Sequence, residues 1–80
     1  MEIEKVHIGR LIHKKIKDDG RKATWLADKI GCERTNIYKI FNKQSIDTMQ
    51  LQLISIALNT DFFAYYSEYH QVMMNRTEQD

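Results

Sequence analysis

The stretch GCERTNIYKIFN, residues 31–42, contains the pattern that decides the fold. Its apolar residues Ile37, Ile40 and Phe41 recur at the three- and four-residue spacing of a helix. Gly31 suits a turn with a positive φ, which costs a glycine little and a branched residue much. We therefore predict a tight turn at Gly31 and a short helix over residues 34–42, with an apolar face toward a core and a polar face outward.

The segment before this stretch predicts the helix against which it packs. Residues 23–30 place Leu26, Ala27 and Ile30 at helical spacing, so these side chains face inward together. The small side chain of Ala27 leaves room for another helix to cross closely over it. The turn at Gly31 then directs the helix over residues 34–42 across the helix over residues 23–30.

Three further helices complete the predicted chain. The first covers about residues 6–18, and the fourth begins at Asp47, whose carboxylate can accept the amide of Gln50. Asn59 is a plausible end for the fourth helix, and Asp61 can cap the fifth. The predicted fold is all-α, a compact five-helix bundle over residues 1–74 followed by a polar, frayed tail over residues 75–80. The predicted core residues are Ile8, Leu11, Ile12, Leu26, Ile30, Ile37, Ile40, Leu51, Ile54 and Leu58.

Composition limits what the chain can do. Eighty residues make one domain, which can bury only about 60% of the surface of the unfolded chain. Cys32 is the only cysteine, which excludes an internal disulfide and a four-thiolate zinc site and fits a reducing compartment. The apolar runs are too short for a membrane span, and the first residues lack the apolar core of a signal peptide. We therefore expect a cytoplasmic protein with no membrane contact.

The charges are distributed unevenly along the chain. The formal net charge is +1, but residues 1–44 contain eleven Lys and Arg against six Asp and Glu, a net of +5. Residues 45–80 contain one basic residue against five acidic ones, a net of −4. Such an asymmetry favours a nucleic-acid-binding face on the basic half. Basic residues that only solvate helix surfaces would give the same pattern, so charge alone leaves both interpretations open.

The ordered set of residues resembles the lambda-repressor-like family of DNA-binding domains, also called Cro/C1-type or XRE-type helix-turn-helix domains. The resemblance extends from Ile8 to Tyr66. It includes the pairs Ile8-Gly9, Leu26-Ala27 and Leu58-Asn59, the turn at Gly31, and the run IYKIFN over residues 37–42. It implies a helix-turn-helix at helices two and three, with helix three as the recognition helix in the major groove.

The resemblance also implies which side chains contact DNA. Arg34 can bind guanine O6 and N7 in a bidentate manner, and Asn36 could recognise adenine or point sideways from Ile37. Lysine side chains near phosphates position the protein without reading sequence. The implied base contacts are Glu33, Arg34, Thr35, Tyr38 and Lys39, and the implied backbone contacts are Lys22, Thr24, Asn36, Asn42 and Lys43.

Three positions depart from the family pattern. Lys22 and Ala23 stand where the family usually has a Ser or Thr cap followed by a glutamine, so we expect a poor cap on helix two. Glu33 stands where a serine often caps helix three. Its carboxylate favours the helix dipole but repels phosphate unless it accepts a hydrogen bond from a cytosine amine.

Aromatic residues are concentrated in the fifth segment, at Phe62, Phe63, Tyr65, Tyr66 and Tyr69. The domain is too small to bury them all, so some close the core and the others are free for a partner. Interfaces are enriched in Tyr, Phe and Met. The resemblance favours a homodimer that reads two half-sites about 34–36 Å apart. The predicted dimer-interface residues are Tyr65, Tyr69, Val72 and Met73.

The function we predict is a sequence-specific, double-stranded DNA-binding transcriptional regulator of bacterial or phage type. The histidines His7, His13 and His70 lack metal-ligand spacing, and no nucleophile or phosphate-loop motif is present. We therefore predict no enzymatic activity, no cofactor or metal, and no small-molecule ligand. The alternative is a protein-interaction module, for example an antitoxin-like or phage-assembly partner, that binds through its aromatic C-terminal face.

Overall fold

A computed structural model of the chain describes residues 5–79, with side chains described for residues 5–76. Over residues 5–79 the chain forms five α-helices and no strand, which confirms the predicted all-α class. Of the predicted domain and tail, residues 1–4 and Asp80 lie outside the described residues. The helices are α1 (Ile8–Asp18), α2 (Ala23–Ile30), α3 (Arg34–Phe41), α4 (Thr48–Ala57) and α5 (Phe63–Gln79).

Side chains from the first four helices and from Phe62 form one hydrophobic core. Leu11 and Ile30, which the sequence also places there, are half-buried at its edge. Phe62 closes the core just before α5 begins, with Tyr66 packed beside it, whereas Phe63 is exposed. The buried core residues are Ile8, Ile12, Ile16, Ala23, Leu26, Ala27, Ile37, Ile40, Leu51, Ile54, Leu58 and Phe62.

The turn between α2 and α3 has the predicted conformation. Gly31 has a φ of 75°, in the left-handed region that favours glycine. The backbone N–H groups of Gly31 and Cys32 both donate to the carbonyl oxygen of Ala27 at 2.9 Å, which closes the end of α2. The chain therefore reverses in a few residues and places α3 across α2.

The predicted caps also have the expected chemistry. The Asp47 carboxylate accepts the backbone N–H of Gln50 at 2.7 Å, and the Asp61 carboxylate accepts that of Phe63 at 3.0 Å. Lys22 precedes α2 without a side-chain capping bond, which confirms the poor cap. Helices α4 and α5 therefore begin at carboxylates, as the sequence predicts.

The sequence leaves the length of the fifth helix open. In the structure α5 continues to Gln79, so residues 75–79, expected as a polar tail, are helical. No glycine or proline interrupts this segment, and good helix formers such as Gln71, Met74 and Arg76 continue it. Every residue from 70 to 76 is exposed, and the molecule measures 46 × 22 × 20 Å. The second half of α5 therefore extends beyond the core.

The first turn of α1 is fixed to the chain that follows α3. The backbone N–H groups of Ile8 and Gly9 donate to the carbonyl oxygens of Gln44 and Lys43 at 2.9 and 3.0 Å. A Cβ atom on Gly9 would lie 2.6 Å from the carbonyl carbon of Phe41, which is closer than real Cβ contacts allow. Glycine at this position is therefore what lets α1 approach the end of α3 so closely.

Candidate nucleic-acid interface

Helix α3 has one buried face and one polar face. Ile37 and Ile40 are buried and Phe41 is half-buried, so these three side chains attach the helix to the core. All ten residues predicted to contact DNA are exposed. The structure therefore leaves the whole predicted set accessible to a partner.

The exposed side chains of α3 take different places around the helix. At about 100° per residue, Thr35, Tyr38, Lys39 and Asn42 lie around the middle of the outward face, opposite the buried isoleucines. By the same geometry Arg34 lies at the edge nearest Phe41, whereas Asn36 lies at the other edge. Arg34 and Asn36 therefore cannot meet the same feature of a partner.

A concave surface of about 350 Å³ lies between α1, the start of α2 and α3, and we call it the basic cleft. Its polar lining includes Lys17, Arg21, Lys22, Thr24, Arg34 and Tyr38. These residues supply four cationic groups, and no carboxylate lines the cleft. The cleft thus brings together four of the predicted contact residues: Lys22 and Thr24 at the start of α2, and Arg34 and Tyr38 on α3.

A second concave surface, of about 460 Å³, lies beside the first, and we call it the imidazole cleft. It is lined by His7, Arg10, His13, Tyr38, Phe41 and Asn42. Tyr38, His13 and Phe41 also line the basic cleft, so the two clefts are adjacent. The Asn42 side-chain amide donates to the Tyr38 carbonyl oxygen at 3.2 Å, which leaves its own oxygen available to a partner.

Two lysines of α1 form ion pairs with acidic residues, and a third lysine lines the basic cleft. Lys14 pairs with Asp18 at 2.9 Å, and Lys15 pairs with Asp19 at 3.2 Å. The hydrogen bond from Lys14 to Asp18 raises the pKa of that lysine above its ordinary value. Within residues 5–76 these are the ion pairs of α1, and Lys17 in the basic cleft takes no part in them. The cleft therefore keeps its positive charge while the neighbouring lysines balance the acids of α1.

Sequence reasoning missed five polar residues of these clefts: His7, Arg10, His13, Lys17 and Arg21. Arg10, His13 and Lys17 are spaced i, i+3 and i+7 on α1, so they share one face of the helix. That polar spacing was the available signal, but only the packing of α1 against α3 shows that the face borders the predicted contacts.

Trp25 explains how Arg21 is held at the rim of the basic cleft. The Arg21 guanidinium carbon lies 4.3 Å from the centroid of the half-buried Trp25 ring, and the Lys29 ammonium lies 5.8 Å from it. Both distances suit a cation–π contact, which draws a cation to the face of an indole. Trp25 therefore positions Arg21, a role that the sequence does not reveal.

The remaining predicted contacts lie outside the two clefts. Glu33, Thr35, Asn36, Lys39 and Lys43 are exposed but line neither one. Glu33 precedes α3 without a side-chain capping bond, so its carboxylate stays available at the start of the helix. These residues are therefore accessible, and the fold does not group them with the basic cleft.

The predicted dimer residues lie beside a third concave surface. Tyr65, Tyr69 and Val72 line a groove of about 460 Å³ between α5 and the start of α1, which we call the α1–α5 groove, and Glu68 lies with them. Met73 does not line this groove, although it is 38% exposed nearby on α5. The groove therefore unites three of the four predicted residues on one side of α5.

The described residues also bear on metal binding, membrane insertion and thiol chemistry. Within residues 5–76, no group of three or more His, Cys, Asp or Glu side chains is placed to hold a metal ion. None of the helices over residues 5–79 has the length and apolar character that a membrane span needs. Cys32 is half-buried, and burial, followed by the charge of Glu33, raises the pKa of its thiol. A thiol with a raised pKa is a poor nucleophile at neutral pH.

Known proteins offer no direct guide to this surface. No protein-family model matches the chain, and neither a curated protein nor a solved structure gives a match. What the clefts and the outer face of α3 can bind therefore follows from their own shape and charge. A basic concavity beside an exposed polar helix suits a polyanion.

Proposed function

We propose that the chain is a sequence-specific, double-stranded DNA-binding regulator of transcription, of the lambda-repressor-like helix-turn-helix type. The observation that carries the proposal is the basic cleft, because four cationic groups without a carboxylate lie directly beside the exposed polar face of α3. Such a cleft attracts phosphates, and the helix next to it is free to enter a groove. Binding over a promoter would then block access of polymerase, whereas binding beside a promoter would be equally compatible with activation through contact with polymerase.

In the proposed complex the basic cleft contacts backbone phosphates and α3 contacts base edges. Lys17, Arg21 and Lys22 would neutralise backbone phosphates, which supplies affinity and fixes orientation. The major groove of B-DNA is about 12 Å wide and admits an α-helix. With α3 in that groove, Arg34, Thr35 and Tyr38 would meet base edges, and Asn42 would lie toward the backbone.

We further propose that two copies associate through α5. Tyr65, Tyr69 and Val72 line one groove, and Val72 is 40% exposed on a helix that extends beyond the core. An exposed set of Tyr, Val and Met side chains has the composition of an interface. A two-fold dimer would present two α3 helices to half-sites about 34–36 Å apart.

Selection of bound duplexes from a random DNA library, followed by sequencing, tests this proposal. The expected result is an enriched motif with two-fold symmetry, because each α3 reads one half-site. The matched control is the Arg34→Ala variant, which should lose preference at one position of each half-site. Folded protein that enriches no motif would contradict sequence-specific binding.

The apolar exposure of α5 supports a second candidate, a protein-interaction module such as an antitoxin-like or phage-assembly partner. Val72 and Met74 are 40% and 50% exposed, and the overall formal charge is only +1. Salt dependence separates the two candidates. DNA affinity should fall linearly on logarithmic scales as salt rises, whereas binding through an apolar surface should change little.

A further inference from the structure

The imidazole cleft offers hydrogen-bond donors and positive charge, and its lining contains no acid. The cleft measures about 460 Å³, and its polar groups are two imidazoles, one guanidinium, a phenol and an amide. These groups belong to His7, Arg10, His13, Tyr38 and Asn42. A phosphate group accepts several hydrogen bonds at once and binds best to donors that carry charge. The chemistry of the lining therefore suits a phosphate.

His7 contributes a donor whose position is fixed. Its Nδ1 atom accepts the backbone N–H of Arg10 at 3.1 Å, which caps the start of α1. In a neutral imidazole one ring nitrogen accepts and the other carries the proton, so Nε2 of His7 is the donor. Protonation of Nδ1 would remove the cap. His7 therefore serves the cleft as a neutral donor beside the guanidinium of Arg10.

His13 differs from His7 because its ring nitrogens have no partner in the fold. The half-buried ring of His13 stacks on Phe41 through one face. Within residues 5–76, neither of its nitrogens makes a hydrogen bond or an ion pair. Imidazole is the side chain that ordinarily changes its charge between about pH 5 and 8. The edge of the His13 ring is therefore available to a ligand and can gain a proton there.

The other ionisable groups that face His13 include no carboxylate. His13 lines both clefts, so its neighbours come from α1, from the chain before α1 and before α2, and from α3. These neighbours are His7, Arg10, Lys17, Arg21, Lys22, Arg34 and Tyr38. The nearby acids of α1 and its cap, Asp18 and Asp19, pair with Lys14 and Lys15. An anion in the cleft would thus bring the opposite charge that favours a protonated imidazole.

The two clefts adjoin, so one strand of a duplex can cross both. Tyr38, His13 and Phe41 line both concave surfaces. Each strand of B-DNA carries one phosphate per about 3.4 Å of helix axis. A strand with one phosphate in the basic cleft therefore has further phosphates within reach of the imidazole cleft.

We propose that the imidazole cleft binds a backbone phosphate of DNA and that His13 takes up a proton from solvent when the phosphate binds. This inference rests on the proposed function and adds a second phosphate site to the basic cleft. The guanidinium of Arg10 and Nε2 of His7 donate to the phosphate oxygens, and the protonated ring of His13 supplies a further positive charge. Because the protonated chain is the form that binds more tightly, affinity for DNA rises as pH falls through the range in which imidazole titrates.

Binding of a mixed-sequence duplex at about pH 6, 7 and 8, at one low salt concentration, tests the inference, because a phosphate contact does not read sequence. An opposite charge at short range favours a protonated group by a factor of about ten or more. We therefore expect affinity to be about tenfold higher at the lowest pH than at the highest. His13→Phe keeps a ring against Phe41 but cannot take up the proton, so its affinity should change little with pH.

Two controls separate His13 from other sources of a pH effect. His70→Phe removes an exposed histidine of α5 that lines neither cleft, and it should keep the full pH dependence. In the parent chain at neutral pH, the duplex should move the ring-proton NMR signals of His13 toward the protonated position and leave those of His70 in place. This second measurement needs no variant. Circular dichroism checks that both variants keep the helical content of the parent chain.

The inference is overturned if the parent chain binds the duplex equally well at all three pH values, or if His13→Phe keeps the pH dependence. Either result leaves phosphate binding by the basic cleft intact. Inorganic phosphate alone that moves the His13 signals as far as the duplex does would assign the cleft to a free anion instead. Failure to bind any duplex at any pH would overturn the proposed function together with the inference.

Discussion

The imidazole ring of His13 stacks on the phenyl ring of Phe41, with ring centroids 4.3 Å apart and ring planes inclined by 13°. His13 lies on α1 and Phe41 ends α3, so the stack joins the two helices. The Tyr38 ring meets Phe41 nearly edge-on, with centroids 6.1 Å apart. The His13–Phe41 stack therefore fixes the ring of Phe41, and Tyr38, which lines both clefts, packs against that ring.

Replacement of His13 by alanine should lower the free energy of unfolding by about 1 kcal/mol, because an aromatic pair contributes roughly 0.5–1.5 kcal/mol beyond its buried area. The measurement is the midpoint of urea unfolding. His13→Phe retains a ring and should retain most of the stability. Equal losses in both variants would show that the stack is not the source of the effect.

In the proposed DNA complex, Arg34→Ala and Lys43→Ala should weaken binding in different ways. Loss of a bidentate base contact should cost about 1–3 kcal/mol and relax preference at one base position. Loss of a phosphate contact should weaken all sequences alike and flatten the salt dependence. Titration of the selected duplex and its single-base variants at several salt concentrations makes the comparison. Sequence-blind losses of equal size would count against base reading by Arg34.

Arg21→Ala should reduce affinity for all duplexes alike, because Arg21 lines the basic cleft without lying on α3. It should also change the emission of Trp25, the only tryptophan, whose ring it covers. Lys29→Ala is the matched control, because Lys29 also approaches that ring but does not line the cleft. Lys29→Ala should change the emission of Trp25 and leave DNA affinity intact. If Lys29→Ala lost as much affinity as Arg21→Ala, the effect would not come from the basic cleft, and Arg21 would not belong to the interface.

Val72→Gln should weaken the proposed homodimer, because it places an amide in the α1–α5 groove. Met74→Gln is the matched control, since Met74 is an exposed apolar residue of the same helix that does not line the groove. Sedimentation over a range of protein concentrations measures the association, and thermal unfolding at low concentration measures folding. The proposed interface fails if both variants, or neither, shift the monomer–dimer equilibrium.

Alkylation of Cys32 should be slower in the folded chain than in urea at pH 8. Burial first, and then the charge of Glu33, raises the pKa of the thiol above 9.0, so the reactive thiolate is depleted in the folded state. Because the folded pKa is the higher one, the linked stability is present below pH 9.0 and is lost as pH rises through the folded pKa. Glu33→Gln should speed alkylation of the folded chain; an unchanged rate would show that Glu33 does not act on the thiol.

Local rules predicted the turn between α2 and α3, the caps and the buried face of α3 well. The left-handed turn at Gly31, the carboxylate caps at Asp47 and Asp61, and the buried pair Ile37 and Ile40 all depend on neighbours in sequence. Such features follow from backbone conformation and helical period alone. Because Ile37 and Ile40 face the core, the same helical period also predicts that the polar residues of α3 face outward.

Long-range features could not be predicted in the same way. The basic cleft requires Lys17 and Arg21 to face Arg34, and that depends on how α1 packs against α3. The extension of α5 past Met74 was missed because its apolar period weakens there, while helix propensity continues it. Helical period identified the inner stripe of α4, but the exposure of Met49 could be known only from the packed bundle.

The backbone N–H groups of Ile8 and Gly9 donate to the carbonyl oxygens of Gln44 and Lys43. Hydrogen exchange of these two amides therefore measures how often α1 separates from the chain that follows α3. These protons can exchange with solvent only when the start of α1 separates from the chain that follows α3. We therefore expect them to exchange with deuterium at the same rate as the slowest amides of α3, as one cooperative unit. Truncation through Gly9 would consequently loosen α3 although it removes no residue of that helix.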